Sequence, residues 1–203
     1  MARRTDHTRE ELREMALEAA RRAVRREGPA GLTARGLASA IGYSPGTLYN
    51  LFADLDDLIV HLNAATLETL EGRLKTALAQ TASPEASAAA MVSAYVAFTL
   101  EEKALWGLLF EHRLPPGREL PTWYQQRIGA LLGMLEEALR PFHPEEASRA
   151  LAARALWCGV HGVCSLAAGG KLASVTDQGA AEVSEVLLKV FLAGLEKTAE
   201  GHH

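Results

Sequence analysis

The chain has 203 residues, 48% of them hydrophobic, with 21 Lys and Arg against 25 Asp and Glu and a formal net charge of −4. That is enough apolar material for a buried core. Ala, Leu, Glu and Arg dominate while β-branched and aromatic residues are scarce, which disfavours sheets and predicts an all-α fold. No stretch of about twenty residues is free of charge, so the apolar run from Ala150 to Ala168 reads as a buried helix and no membrane partner is expected. The start, MARRTDHTREEL, has no apolar run after its charges, and a cytoplasmic location is expected.

Charge is unevenly placed, with residues 1–53 carrying +3 and the remainder −7. A basic head on an acidic body suits binding to phosphates, although the same arginines also read as a solvated face. Arg3, Arg4 and Arg9 precede the first helix as a basic arm within reach of phosphates or a minor groove. From Thr8 to Arg26 the stripe Leu12, Met15, Ala16, Ala19, Ala20, Ala23 and Val24 predicts that helix, opened by a Thr8–Glu11 capping box and ended by Gly28, Pro29 and Gly31. Thr33 is a good N-cap for a second helix with Leu37, Ala38 and Ile41 on one face, closed by Gly42. Ser44, expected to accept an orphan N–H, and Pro45 then open a third helix that turns Leu48 and Phe52 inward and Gly46, Thr47, Tyr49 and Asn50 outward. Two short helices crossed by a glycine turn make a helix-turn-helix, whose second helix fits the DNA major groove.

A fourth helix is expected from Asp54, capped with Asp57, through Leu58, Leu62, Ala65 and Leu70 towards Leu78. Ser83 and Pro84 break the chain after it. The expected domains are therefore a head over residues 1–53, a linker helix over 54–81 and a helical body over 84–200. Body helices are predicted for Glu85 to Glu101, Lys103 to His112, Thr122 to Arg140, Pro144 to Ala168 and Thr176 to Ala199. Leu114 to Pro121, LPPGRELP, reads either as the rim of a cavity or as an ordinary connection.

The run from Thr33 to Leu58 has the form T-x-x-x-L-A-x-x-I-G-Y-S-P-G-T-L-Y-x-x-F-x-x-x-D-x-L, and it resembles the DNA-binding head of the TetR family of bacterial transcriptional repressors. Residues 156–170, LWCGVHGVCSLAAGG, resemble the Trp-His-Gly signature of one subgroup of that family through Trp157, His161 and Gly162. The resemblance implies a DNA-binding regulator with an N-terminal three-helix head and a C-terminal ligand-binding and dimerisation domain. It places Thr33 at phosphate, Ser44, Pro45 and Gly46 at the helix entry, and Arg35, Thr47, Tyr49 and Asn50 at the groove. Chemically, Thr47 offers a hydroxyl and a methyl, Asn50 pairs with adenine and Tyr49 offers a phenol to phosphate. Leu51 and Leu55 stand where the family often has phosphate-contacting side chains. The arginines ahead of the head are expected to replace them, so deleting residues 1–7 should flatten the salt dependence of DNA binding.

By the same resemblance, Trp106, Phe110, Trp123 and Trp157 surround an inducer cavity, with His161 one turn after Trp157 and Arg154 nearby on the same helix. His161 also reads as a satisfied core histidine, and Gly162 as a point of close helix approach. Cys158 and Cys164 lie about 9 Å apart along a helix, too far for one zinc or for a disulfide, and read as buried thiols. No catalytic, metal or cofactor motif appears, so an enzyme is not expected. The sequence thus reads as a repressor that binds a palindromic operator as a homodimer through its last two helices and is released by a small apolar effector. A DNA-binding dimer without an inducer, of nucleoid or division-control type, and a helical enzyme are the alternatives.

Overall fold

The computed structural model describes residues 7–200, excepting the side chains of Glu196 and of residues 198–200. Among these residues the secondary structure is helical: α1 (Arg9–Glu27), α2 (Ala34–Ala40), α3 (Pro45–Leu51), α4 (Leu55–Leu78), α5 (Pro84–Glu101), α6 (Lys103–Glu111), α7 (Thr122–Leu139), α8 (Glu146–Ala168) and α9 (Ala180–Glu200). Short 3₁₀ turns occupy Gly28–Gly31 and Leu172–Ser174. The all-α expectation holds.

Two compact units result. The first joins the described residues up to Thr66 with Ala104–Tyr124, and the second joins Leu67–Lys103 with those from Gln125 onward. The division falls inside α4, α6 and α7; Ser83 and Pro84 stand in the break between α4 and α5, with Ser83 capping α5.

In the first unit, α1 starts with the expected capping box: the Glu11 N–H donates to Thr8 Oγ1 at 3.2 Å and the Thr8 N–H donates to Glu11 Oε2 at 2.6 Å. Its small stripe, Ala16, Ala19, Ala20, Ala23 and Val24, lets the chain pack closely around Leu37, Ala38, Ile41, Leu48, Leu51, Phe52, Leu58 and Leu62. Leu105 and Leu108 of α6 complete this core. Thr33 Oγ1 accepts the Gly36 N–H at 3.1 Å and opens α2. Gly42, at φ +79°, turns the chain towards α3 at no Cβ cost.

The second unit packs α5, α8 and α9 against one another. Tyr95, Val96, Phe98 and Thr99 from α5, Leu156, Val160 and Cys164 from α8, and Leu188 from α9 are buried. Glu145 caps α8 by accepting the Ala147 and Ser148 N–H groups at 3.0 and 2.6 Å, which is why the helix starts two residues later than its proline suggests. Gly159 meets α9: a Cβ there would stand 2.8 Å from Leu187 Cδ2. Gly162, expected to fill that role, has open space around it: a Cβ there would meet nothing within 4 Å.

Candidate nucleic-acid interface and effector cluster

The reading head is built on a helix of seven residues whose inner face, Leu48 and Leu51, is sunk in the core. Its outer face carries Gly46, Tyr49 and Asn50, exposed, with Thr47 half-buried beside them. Tyr49 is 55% exposed, so its ring and phenol are open to a partner. Arg35 and Thr33 are exposed on and just before α2, and Ser44, Pro45 and Gly46 form the exposed entry to α3. Ser44 does not cap α3 as expected; its hydroxyl lies 3.3 Å from Thr47 Oγ1, while Pro45 supplies the helix start and spares one donor. Arg3 and Arg4 lie outside the described residues.

Leu51 and Leu55 are explained by packing. Leu51 is buried and Leu55 half-buried against the head core, so both positions serve the interior. Arg9 is not part of an arm ahead of the first helix: it is the first residue of α1, and its Nη2 donates to the Asn50 carbonyl at 3.1 Å. Arg13, one turn on, donates from Nη1 to the Leu51 carbonyl at 2.8 Å and lies 4.5 Å over the Phe52 ring. The sequence signal for this pair was their spacing of four on one helix face, which a search for exposed phosphate contacts passes over.

In the body, the five aromatic and histidine positions separate. Trp106, Phe110 and Trp123 belong to the first unit, and Trp157 and His161 to the second. Trp106 and Phe110 rings are 5.2 Å apart, and Trp123 stacks on His61 at 4.9 Å. In the second unit His161 Nδ1 lies 3.0 Å from the Tyr95 hydroxyl, and its ring is 4.9 Å from that of Trp157. Burial holds His161 below the usual histidine range, so it is neutral and its tautomer is tied to the tyrosine. Arg154 is exposed and pairs with Glu136 at 2.8 Å. Cys164 is buried, and burial pushes its thiol up, whereas Cys158 is exposed rather than buried as expected. A groove of about 550 Å³ between α5 and α9, floored by Val92, Val96, Phe142, Leu188 and Leu192, is lined by none of these five residues.

The family models decide the assignment. Residues 16–62 match that of the bacterial regulatory proteins of the tetR family, and residues 88–191, half of the chain, match the tetracyclin repressor-like C-terminal domain.

The chain belongs to the TetR family.

It is accordingly a DNA-binding transcriptional regulator and not an enzyme. The C-terminal match spans Trp157, His161 and Gly162. Comparison with curated protein sequences gave no match. Among solved structures, the chain resembles a protein of unknown function from Rhodococcus, at 25% identity and a TM-score of 0.78, covering 96% of this chain and 100% of that one. It also resembles the TetR-family regulator PfmR from Thermus thermophilus, at 19% identity and a TM-score of 0.57, covering 88% and 97%. A third is the TetR-family repressor FadR from Thermus thermophilus in complex with lauroyl-CoA, at 22% identity and a TM-score of 0.65, covering 89% and 93%. The last two likenesses show the shared fold.

Proposed function

We propose that this TetR-family protein represses transcription by binding a palindromic operator as a homodimer, and that a small apolar effector releases it. The observation that carries the DNA-reading part is the outer face of α3, where Thr47, Tyr49 and Asn50 stand on a short helix locked into the core by Leu48 and Leu51. Thr33, Arg35, Ser44, Pro45 and Gly46 position that face on the phosphates, and Arg3 and Arg4 add charge from the N-terminal arm.

Dimerisation is supported by apolar side chains left uncovered on the last two long helices. Leu151 on α8 is 70% exposed and Val190 on α9 is 67% exposed, with Val186 exposed one turn before Val190 and Leu166 partly uncovered near the end of α8. On α8, Cys158, Gly162 and Leu166 follow at four-residue steps and share one face with Leu151, so the open Gly162 sits where a partner helix would approach. Among the described residues α8 is long and apolar enough to cross a membrane, yet that character is what a helix buried by a second copy needs. For the effector, Trp157, His161 and Tyr95 offer a ring face and a neutral hydrogen-bonding pair, and the lauroyl-CoA bound to FadR of Thermus thermophilus supports an apolar ligand. Trp106, Phe110 and Trp123 are the remaining effector candidates.

The experiment is capture of DNA from a random pool by the purified full chain, followed by sequencing. Enrichment of an inverted repeat with half-sites about 34–36 Å apart, or a multiple of it, is expected, and recovery of unenriched sequence overturns specific reading. A short bis-maleimide should link two copies through Cys158, and no linkage by it rejects the α8 pairing.

A further inference from the structure

We propose that Arg13 is a positioning residue for operator recognition: from α1 it fixes the C-terminal end of the reading helix α3, and a column of rings formed by Phe52, His61 and Trp123 braces that end. The proposal rests on α3 being the element that reads DNA.

The physical need is plain from the length of α3. Seven residues make about two turns, too few to hold a helix by its own hydrogen bonds, and the last carbonyls have no partner within the helix. Arg13 supplies one at Leu51 and Arg9 another at Asn50, the residue expected at the groove. Two cations at a helix C-terminus also complement its dipole. Arg13 does more than donate, because its guanidinium carbon lies 4.5 Å from the centre of the ring of Phe52, the residue that follows α3. One planar group thus holds the final carbonyl and the next side chain together, which a lysine ammonium cannot do. Arg13 is half-buried by these contacts, a poor position for a phosphate ligand.

Phe52 is buried, and its ring centroid is 5.8 Å from that of His61 on α4. His61 stacks in turn on Trp123, the second residue of α7, with an interplanar angle of 20°. The charged groups facing His61 are Arg13 and Asp57, the latter at 3.6 Å. Asp57 also accepts the Ala53 N–H at 3.0 Å, tying the corner between α3 and α4. Arg13 of α1 therefore meets Leu51 and Phe52 directly, His61 of α4 meets Phe52, and Trp123 of α7 backs His61, all within one compact unit. A shift of that end re-aims Thr47, Tyr49 and Asn50 one turn earlier, so base reading should suffer while sequence-independent attraction to phosphate should not.

The test measures binding by fluorescence anisotropy over a salt series, for a labelled duplex selected from a random pool by the full chain and for a scrambled duplex of equal composition. Arg13→Ala should weaken the selected duplex by about ten- to a hundredfold, with the scrambled affinity and the salt slope unchanged. Arg13→Lys should recover part of that loss, and Trp123→Ala should weaken the selected duplex alone by about two- to tenfold. A salt slope lowered by about one in Arg13→Ala makes Arg13 a phosphate ligand and overturns the proposal. Equal losses on both duplexes, or full activity of Arg13→Lys, also overturn it. If the unsubstituted protein does not distinguish the duplexes, the DNA-reading role of α3 falls and the proposal with it. Circular dichroism checks the fold; where Arg13→Ala loses helix content, the Arg13→Lys result decides. In a proton NMR titration the His61 midpoint should rise in Arg13→Ala, because the Arg13 cation that lowers it is gone, and an unmoved midpoint rejects the placement of Arg13 beside this column of rings.

Discussion

At Thr33 the hydroxyl accepts the Gly36 N–H at 3.1 Å while the side chain stays exposed at the edge of the reading head. The same oxygen that would meet a phosphate therefore opens α2, and it lies close enough that a Cβ at Gly36 would stand 2.8 Å away. Thr33→Ala should cost about 1 kcal/mol of stability, read as a lower urea midpoint, and an unchanged midpoint would show that the cap contributes nothing. Glu145 is a second residue whose position sets its chemistry. Hydrogen bonds from the Ser148 side chain and N–H and from the Ala147 N–H hold its carboxyl at about 2. A depressed carboxylate stabilises the fold above its unfolded value and loses that contribution as pH falls from about 4.5 towards 2. Glu145→Gln should accordingly flatten the stability profile in that window, and a profile parallel to the unsubstituted one rejects the cap. Thr33 and its cap were legible in the sequence. Glu145 was not, because a glutamate far along the body gives no sign of which N–H groups it will meet.

Helices were the most legible level. The alanine stripe of α1 has a period that only a helix packs on one side, and its capping box marks the start to the residue. Ends that depend on tertiary contacts were less so: α9 begins at Ala180, after a short 3₁₀ turn over Leu172–Ser174, where the sequence pointed to Thr176. Packing between helices was hidden altogether. Two glycines three residues apart on α8 look alike in sequence, yet Gly159 lies under Leu187 while Gly162 faces open space. Gly159→Val should destabilise by about 1–3 kcal/mol in chemical denaturation, and Leu187→Ala in that background should recover part of the loss. Additive losses would mean that the two side chains do not share the space.

For the whole molecule, two half-buried histidines contribute to the acid response just below neutrality. Burial holds both His61 and His161 below the usual range, with Arg13 adding to the effect at His61 and Asp57 opposing it. A neutral histidine in the fold binds fewer protons than the same group unfolded, so the stability it contributes is complete above about 6.5 and declines as pH falls below that value. Thermal unfolding from pH 7.5 to 5 should show a falling midpoint that the double substitution of both histidines by glutamine reduces. Assembly is the other whole-molecule property. Val186→Asp with Val190→Asp should give a monomer in sedimentation and weaken operator binding, and an unchanged dimer places the interface elsewhere. The sequence by itself determined the helices, the helix-turn-helix and the family, because periodicity, caps and the glycine turn are local and act within a few residues of one another. Only the tertiary structure decided that Leu51 and Leu55 serve the core, that Trp123 stacks on His61, and that Arg9 and Arg13 hold the end of the reading helix. Those contacts join residues tens of positions apart, and no local pattern encodes which distant carbonyl a guanidinium will reach.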